Sequence, residues 1–144
     1  MTIDTSGDFW KGSGAADIDE YLAAYTEDQY PADRFVHAKC TCGATGFRLE
    51  VDPDESTAKR ICTSCGAEVL MLDSAEYWEE SEPAVVECAC GSDVHEVAVG
   101  FSHRDDGSIK WVTVGVRCIS CGVLGSPADW KIDYDPTEHL YVQV

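Results

Sequence analysis

Basic residues are what this chain has least of. It carries 10 Lys plus Arg against 27 Asp plus Glu, a formal charge of −17. Acids outnumber bases within 1–38, within 39–87 and within 88–144, so no basic half hides behind an acidic one. Such a surface repels nucleic-acid phosphates and anionic membranes. Solubility is the plain consequence of the acidic surplus, and a basic protein partner is the more specific one. No run approaches the roughly 20 apolar residues of a membrane span. The start, MTIDTSGDFWKGSG, lacks the basic opening and apolar run of a secretory signal, which makes a cytoplasmic location the expectation. Catalytic signatures are missing as well. His37, His95, His103 and His139 show no H-x-x-x-H or H-E-x-x-H spacing, and there is no glycine-rich phosphate loop or Ser/His/Asp order. Paired acids such as Glu79-Glu80 and Asp105-Asp106 read as solvated faces and turns. No catalytic residue is expected.

What the chain does have is cysteine: Cys40, Cys42, Cys62, Cys65, Cys88, Cys90, Cys118 and Cys121. They read CTCG, CTSCG, CACG and CISCG, so the order C-x-C-G, spacer, C-x-x-C-G occurs twice and indicates a duplication. Cys40 to Cys88 and Cys42 to Cys90 are each 48 positions apart; Cys62 to Cys118 and Cys65 to Cys121 are each 56 apart. One eight-residue insertion in the second spacer accounts for the difference. Tetrahedral zinc takes four thiolates at about 2.3 Å, and a tight turn supplies two at a time. Gly43, Gly66, Gly91 and Gly122 follow the pairs, allowing positive φ and leaving backbone N–H groups to face the sulfurs.

Two zinc ions are therefore expected. Cys40, Cys42, Cys62 and Cys65 would share one, and Cys88, Cys90, Cys118 and Cys121 the other, because each hairpin joins its own ends at small closure entropy. Iron is the less favoured metal for such sites. Disulfides would need an oxidising compartment that nothing in the N-terminus announces. Lys39, Lys59, Arg60 and Arg117 lie within three positions of a cysteine and are expected to offset thiolate charge.

The residues between the cysteines read as mainly β. Val97, Val99 and Phe101 alternate before Asp106-Gly107, and Val112, Val114 and Val116 after it. A two-residue Asp-Gly loop then sets Phe101 against Val112, Val99 against Val114 and Val97 against Val116. The same register puts His95 opposite Cys118, as an edge histidine beside the site or, alternatively, a donor to a sulfur or a replacement ligand. Phe47, Leu49 and Val51 alternate in the first unit, with the return Ala58 to Ile61 in open register and a third strand at Val69 to Leu72. Ahead of these, Ile18, Tyr21, Leu22 and Tyr25 mark a helix that starts at Asp17 with Glu20 as a capping box and ends before Tyr30-Pro31. Residues 32–39 read as an extended lead. Phe9 and Trp10 are expected to anchor the loose arm, 1–14, onto the body, Tyr77-Trp78 and Trp130 to pack the units together or onto the N-terminal helix, and Leu140 to Val144 to close as a strand. The fold class is mainly β: two tandem zinc-ribbon-like units of antiparallel hairpins with a short N-terminal α-helix. The divisions are 1–38 for the arm and helix, 39–82 for the first unit, and 83–144 for the second unit with its C-terminal strand.

Glycine-terminated cysteine pairs at the two ends of a hairpin, over 39–73 and 87–125, resemble the zinc-ribbon fold group. C-x-C here stands where C-x-x-C is commoner. The resemblance implies structural metal and leaves function open, since ribbons serve transcription, ribosomes, enzymes and adaptors. The second unit also looks like the zinc switch of the redox-regulated heat-shock holdase family, in which four thiolates hold zinc when reduced and form disulfides when oxidised. The favoured function is a structural-zinc protein acting as a protein–protein interaction module, adaptor or immunity-type, with sulfurs shielded by the valine face and the turn amides. A zinc-thiolate redox sensor is the alternative. A transcription-associated ribbon comes third, opposed by the charge of −17.

Overall fold

The computed structural model describes residues 3–7, 9–132 and 137–144. One helix, α1 (Asp17–Thr26), precedes eight strands: β1 (Arg34–His37), β2 (Phe47–Asp52), β3 (Thr57–Cys62), β4 (Glu68–Leu70), β5 (Ala84–Val85), β6 (His95–His103), β7 (Ile109–Cys118) and β8 (Leu124–Lys131). The strands form one antiparallel sheet in the order β4-β3-β2-β6-β7-β8, with β1 added to β6 and β5 added to β2. Among the described residues no helix is long and apolar enough to cross a membrane.

The β6–β7 hairpin has the register its valines dictate: Val97 opposite Val116, Val99 opposite Val114 and Phe101 opposite Val112. Its loop is longer than the two residues expected. Arg104 N–H donates to Ser108 O at 2.8 Å and Gly107 N–H to Arg104 O at 2.9 Å, so Asp105, Asp106 and Gly107 form the turn. Gly107, at φ +89°, takes the left-handed place such a loop needs. A register shift after Ser102 absorbs the odd residue, and the valine pairing survives.

The two hairpins are tied together reciprocally. Val36 of β1 pairs with Val99 of β6, and Ala84 of β5 pairs with Val51 of β2. Each residue of one pair lies 48 positions from its counterpart in the other: 36 and 84, 51 and 99. Ala38 N–H donates to Val97 O at 2.9 Å, and its counterpart Val86 N–H to Leu49 O at 2.8 Å. Where β2 meets β6, the paired residues Phe47 and His95 are themselves 48 apart. Each half thus lends its leading strand to the hairpin of the other.

Apolar faces of both hairpins meet in one core: Phe47, Leu49 and Val51 with Val97, Val99, Phe101, Val112 and Val114. The opposite face of β6–β7 is covered by α1, whose Ile18 and Leu22 pack on Ala98 and Leu124. Glycine permits that approach. A Cβ at Gly115 would lie 2.8 Å from both Ile18 Cγ2 and Leu22 Cδ1. Trp130 links the halves as expected, its indole N–H donating to Asp73 Oδ1 at 3.1 Å.

Two local expectations are corrected. Asp17 does not cap α1; Ala16 takes that place without a side-chain bond. The Asp17 carboxylate accepts Ser13 N–H at 2.7 Å instead, tying down the preceding turn. Tyr77 is 41% exposed and lines one surface pocket together with Trp130. The chain end is a 3-10 helix, Glu138–Val142, rather than a strand. Leu140 and Val144 are buried while Val142 is 87% exposed, the spacing of a helical turn and not of a strand. Tyr141 anchors it, its hydroxyl 2.5 Å from His103 Nε2, with Asp33 on the other ring nitrogen.

Gly115→Ala is expected to cost about 1–3 kcal/mol through overpacking against α1. Gly14→Ala, where an added Cβ meets nothing within 4 Å, should cost far less. Urea unfolding of the two variants measures the difference.

Candidate metal centres

Each cysteine pair closes a tight turn of the same build. Cys40 N–H donates to Ala44 O at 2.9 Å and Gly43 N–H to Cys40 O at 2.8 Å; Cys88 N–H donates to Ser92 O and Gly91 N–H to Cys88 O, both at 2.8 Å. At the other hairpin ends, Gly66 N–H donates to Cys62 O at 2.9 Å and Gly122 N–H to Cys118 O at 2.8 Å. The four glycines have φ of +92°, +79°, +93° and +83°, as the sequence predicts. Cross-strand pairing then gathers the turns. Phe47 opposite Cys62 sets the turn before β2 against the turn after β3, and His95 opposite Cys118 does the same for β6 and β7.

The result is two tetrads: Cys40, Cys42, Cys62 and Cys65, and Cys88, Cys90, Cys118 and Cys121, with the sulfurs of each within 4.8 Å of one another. Cys40 and Cys65 Sγ are 3.4 Å apart and Cys42 and Cys62 Sγ 3.6 Å; Cys88–Cys121 and Cys90–Cys118 repeat those distances at 3.4 and 3.6 Å. Four thiolates at about 2.3 Å from a tetrahedral ion lie about 3.8 Å from each other. Both tetrads are therefore close enough to hold a metal, with ligands grouped by hairpin.

The electrostatics ask for a cation. Cys42 N–H facing the Cys40 sulfur, helped by the Cys65 thiol, draws Cys40 down to about 6. Cys65 N–H lowers Cys62. Burial raises Cys118, but the N–H groups of Cys121 and Ser120 and the adjoining thiols together bring it to about 7. The remaining sulfurs cannot follow. Cys65 has the Ala67 N–H in its favour, yet the sulfurs of Cys40, Cys62 and Cys42 push it up to about 12. Ala67's counterpart Ala44 similarly favours Cys42, which Cys40 and Cys62 still raise. Burial first, then its neighbours, pushes Cys88 up to about 12. A divalent ion removes this conflict by making every thiolate favourable at once.

The residues expected around the ligands fall in different places. Arg60 lies buried beside the first tetrad, where burial disfavours its charge and lowers its pKa while Cys40 and Cys62 oppose that shift; Nε donates to Val144 O at 2.9 Å, and the guanidinium lies 4.8 Å over the Phe47 ring. Lys59 is committed elsewhere, 2.6 Å from Glu68 Oε1. Arg117 reaches Glu96 Oε1 at 2.6 Å and Gly12 O at 2.8 Å. Lys39 is exposed. His95 lies opposite Cys118 but is no edge residue: it is 2% exposed between β7 and β2, with Nδ1 unpartnered and burial holding its pKa down. It is not among the grouped ligands. The corresponding position in the first half is Phe47, so the turn itself does not require a histidine.

The sulfurs are less shielded than expected. Cys42, Cys65 and Cys90 are exposed. The second centre is the better covered, through the N-terminal arm. Gly12 N–H donates to Gly122 O at 2.8 Å and Leu124 N–H to Trp10 O at 2.7 Å, strapping the N-terminal arm across the second C-x-x-C turn. A Cβ at Gly122 would meet Gly12 O at 2.6 Å, whereas one at Gly66 meets nothing within 4 Å. Trp10 anchors the arm as expected, packed against the cluster that buries Ile3, while Phe9 stays 54% exposed. The chain matches no protein-family model, no curated protein and no solved structure.

Metal uptake at pH 7 should release protons, at least two of them at the first centre, where Cys42 and Cys65 are both raised. Because binding needs thiolates, affinity should rise with pH and fall on acidification. Calorimetry in buffers of different ionisation enthalpy counts the protons. Cys42→Ser should lose one equivalent of metal, and a chelator should strip the remaining one faster than from the wild type, since β1 and β5 cross between halves. An unchanged stripping rate would mean the crossed strands transmit nothing.

Proposed function

We propose that the two tetrads hold structural zinc in duplicated ribbon-like units, and that the chain is a non-catalytic protein–protein interaction module of the adaptor or immunity type. The observation that carries this reading is the closure of each tetrad by four cysteine sulfurs, which leaves no protein-built open position of the kind catalytic zinc keeps. Thiolate-only coordination suits zinc, and each ion would add on the order of 10 kcal/mol to folding. A charge of −17 favours a basic protein over nucleic acid or an anionic membrane. Elemental analysis is expected to find two zinc per chain. One zinc, or an iron chromophore, would refute the assignment.

A zinc-thiolate redox switch is the second reading, and the exposure of Cys42 and Cys65 favours it at the first centre. There two thiolates would give two electrons to peroxide, forming one S–S bond as the O–O bond breaks to two hydroxides, and the metal would leave. Under the interaction reading, mild peroxide releases zinc slowly and no aggregation-suppressing activity appears. Release of one zinc within minutes, with a reversible disulfide mapped to the first tetrad, would favour the switch.

A further inference from the structure

The N-terminal arm and α1 flank an open pocket of about 340 Å³ lined by Phe9, Trp10, Tyr21, Ala24, Tyr25 and Leu124. Its four aromatic rings come from two separate segments. Trp10 stands edge-on to Tyr21, with centroids 5.8 Å apart and planes at 80°, and Tyr21 stacks on Tyr25 at 5.8 Å and 20°. Two walls therefore meet near a right angle. Two of the rings face solvent: Phe9 is 54% and Tyr25 44% exposed.

The exposed charges that α1 brings beside the pocket are acidic. Glu20 is one turn before Ala24 on α1, Glu27 forms the C-cap, and Asp28 follows; all are exposed. The last turn has no basic residue, although the C-terminal end of a helix favours a cation. Lys11, beside Trp10, is bridged to Asp4 through the backbone, with Asp4 N–H donating to Lys11 O at 2.7 Å and Lys11 N–H to Asp4 O at 2.9 Å. Elsewhere the chain places its cations on rings: Arg34 at 3.8 Å from the Tyr141 centroid, Arg60 at 4.8 Å from Phe47, Lys59 at 5.2 Å from Trp78 and Lys110 at 5.4 Å from Tyr30. Among the described residues no cation lies on Phe9, Trp10, Tyr21 or Tyr25. Aromatic walls within an acidic rim are the chemistry that recognises a cationic side chain.

We propose that this pocket receives an arginine or lysine side chain from an extended segment of a basic protein partner. The inference rests on the basic-partner reading above and gives it a place. A polypeptide is a better occupant than a free ammonium ion because the pocket does not end at its rings. Past Phe9 and Leu124 the surface continues into a second cavity of about 470 Å³, lined by Val86, Val116, Val123 and Pro127 beside Cys88, which can take the neighbouring residues of the segment.

The probe is a short peptide of alternating arginine and serine, titrated calorimetrically into the metal-loaded protein, with the citrulline version as the uncharged control. Wild type should bind the arginine peptide and not the control, and binding should persist at about 0.3 M salt, where long-range attraction is screened. Phe9→Ser with Tyr25→Ser should weaken it about ten-fold, from two rings worth roughly 0.5–1 kcal/mol each. Both side chains are exposed, so two metal ions per chain should remain and verify folding. Tyr25→Phe should keep the affinity, because the ring is retained. Charge reversal at Glu79 and Glu80, on a separate 3-10 turn, should have little effect at the higher salt. An unchanged double variant, with loss on the Glu79 and Glu80 reversal instead, would overturn the pocket while leaving the basic-partner reading intact. No binding by wild type even at about 0.05 M salt, where screening is weak, would overturn both.

Discussion

Four sulfurs held within 4.8 Å in each tetrad are the constraint around which this fold is arranged. Without a cation the turn amides pull some of them toward thiolate while the neighbouring sulfurs force others to keep their protons. Cys40 at about 6 and Cys65 at about 12 within one centre are the two sides of that conflict. A divalent ion turns repulsion into cohesion, and it does so where the hairpins are weakest, at the ends where strand pairing stops. The cysteine turns thus act as clasps on β2–β3 and β6–β7. Positive φ at the four glycines is the backbone condition for closing them.

The clasps are not independent, because of how the chain enters them. β1 leads to Cys40 but pairs with β6; β5 leads to Cys88 but pairs with β2. Movement of one C-x-C turn is therefore expected to pull on the hairpin that carries the other centre. Phe47 and His95 mark the junction of the halves, and each is also the cross-strand partner of a ligand, Cys62 and Cys118. The two halves differ most at this pair. A buried ring in one half faces a buried imidazole with an unpartnered Nδ1 in the other.

Much of this was legible in the sequence because it is local or periodic. The eight cysteines, their glycines and their spacing gave the two tetrads with the correct partners, and the valine alternation gave the β6–β7 register. Turn length was not readable, since Asp-Gly serves two-residue and three-residue loops alike and a bulge hides the difference outside the loop. The exchange of β1 and β5 was invisible for a similar reason: strands of four and two residues carry too little pattern to name a partner. β8 was missed because LGSPADWK breaks its alternation with Gly, Ser and Pro. At the C-terminus, Leu140 and Val144 fit either a strand or a turn of helix. The choice fell to tertiary contacts: the Arg60 side chain on Val144 O, and Leu72 N–H on Gln143 O at 2.6 Å.

Scarcity of bases also shapes the inside of this molecule. Arg60 is buried beside sulfurs, Arg117 joins Glu96 to the N-terminal arm, Arg48 meets Asp93 and Lys59 meets Glu68. Arg34, Lys59, Arg60 and Lys110 also cover aromatic rings. With its few cations spent on the sheet and the sulfurs, the chain leaves the end of α1 acidic on its rim and aromatic at its floor. A uniformly acidic surface attracts any polycation weakly and without preference, since exposed charges are screened within about 10 Å at 0.1 M salt. Rings that lose water on contact act at short range and survive that screening. Under the proposed reading, long-range acidity would gather basic partners and a local aromatic pocket would choose among them; the two are separable properties, and both lie where the N-terminal arm meets one ten-residue helix.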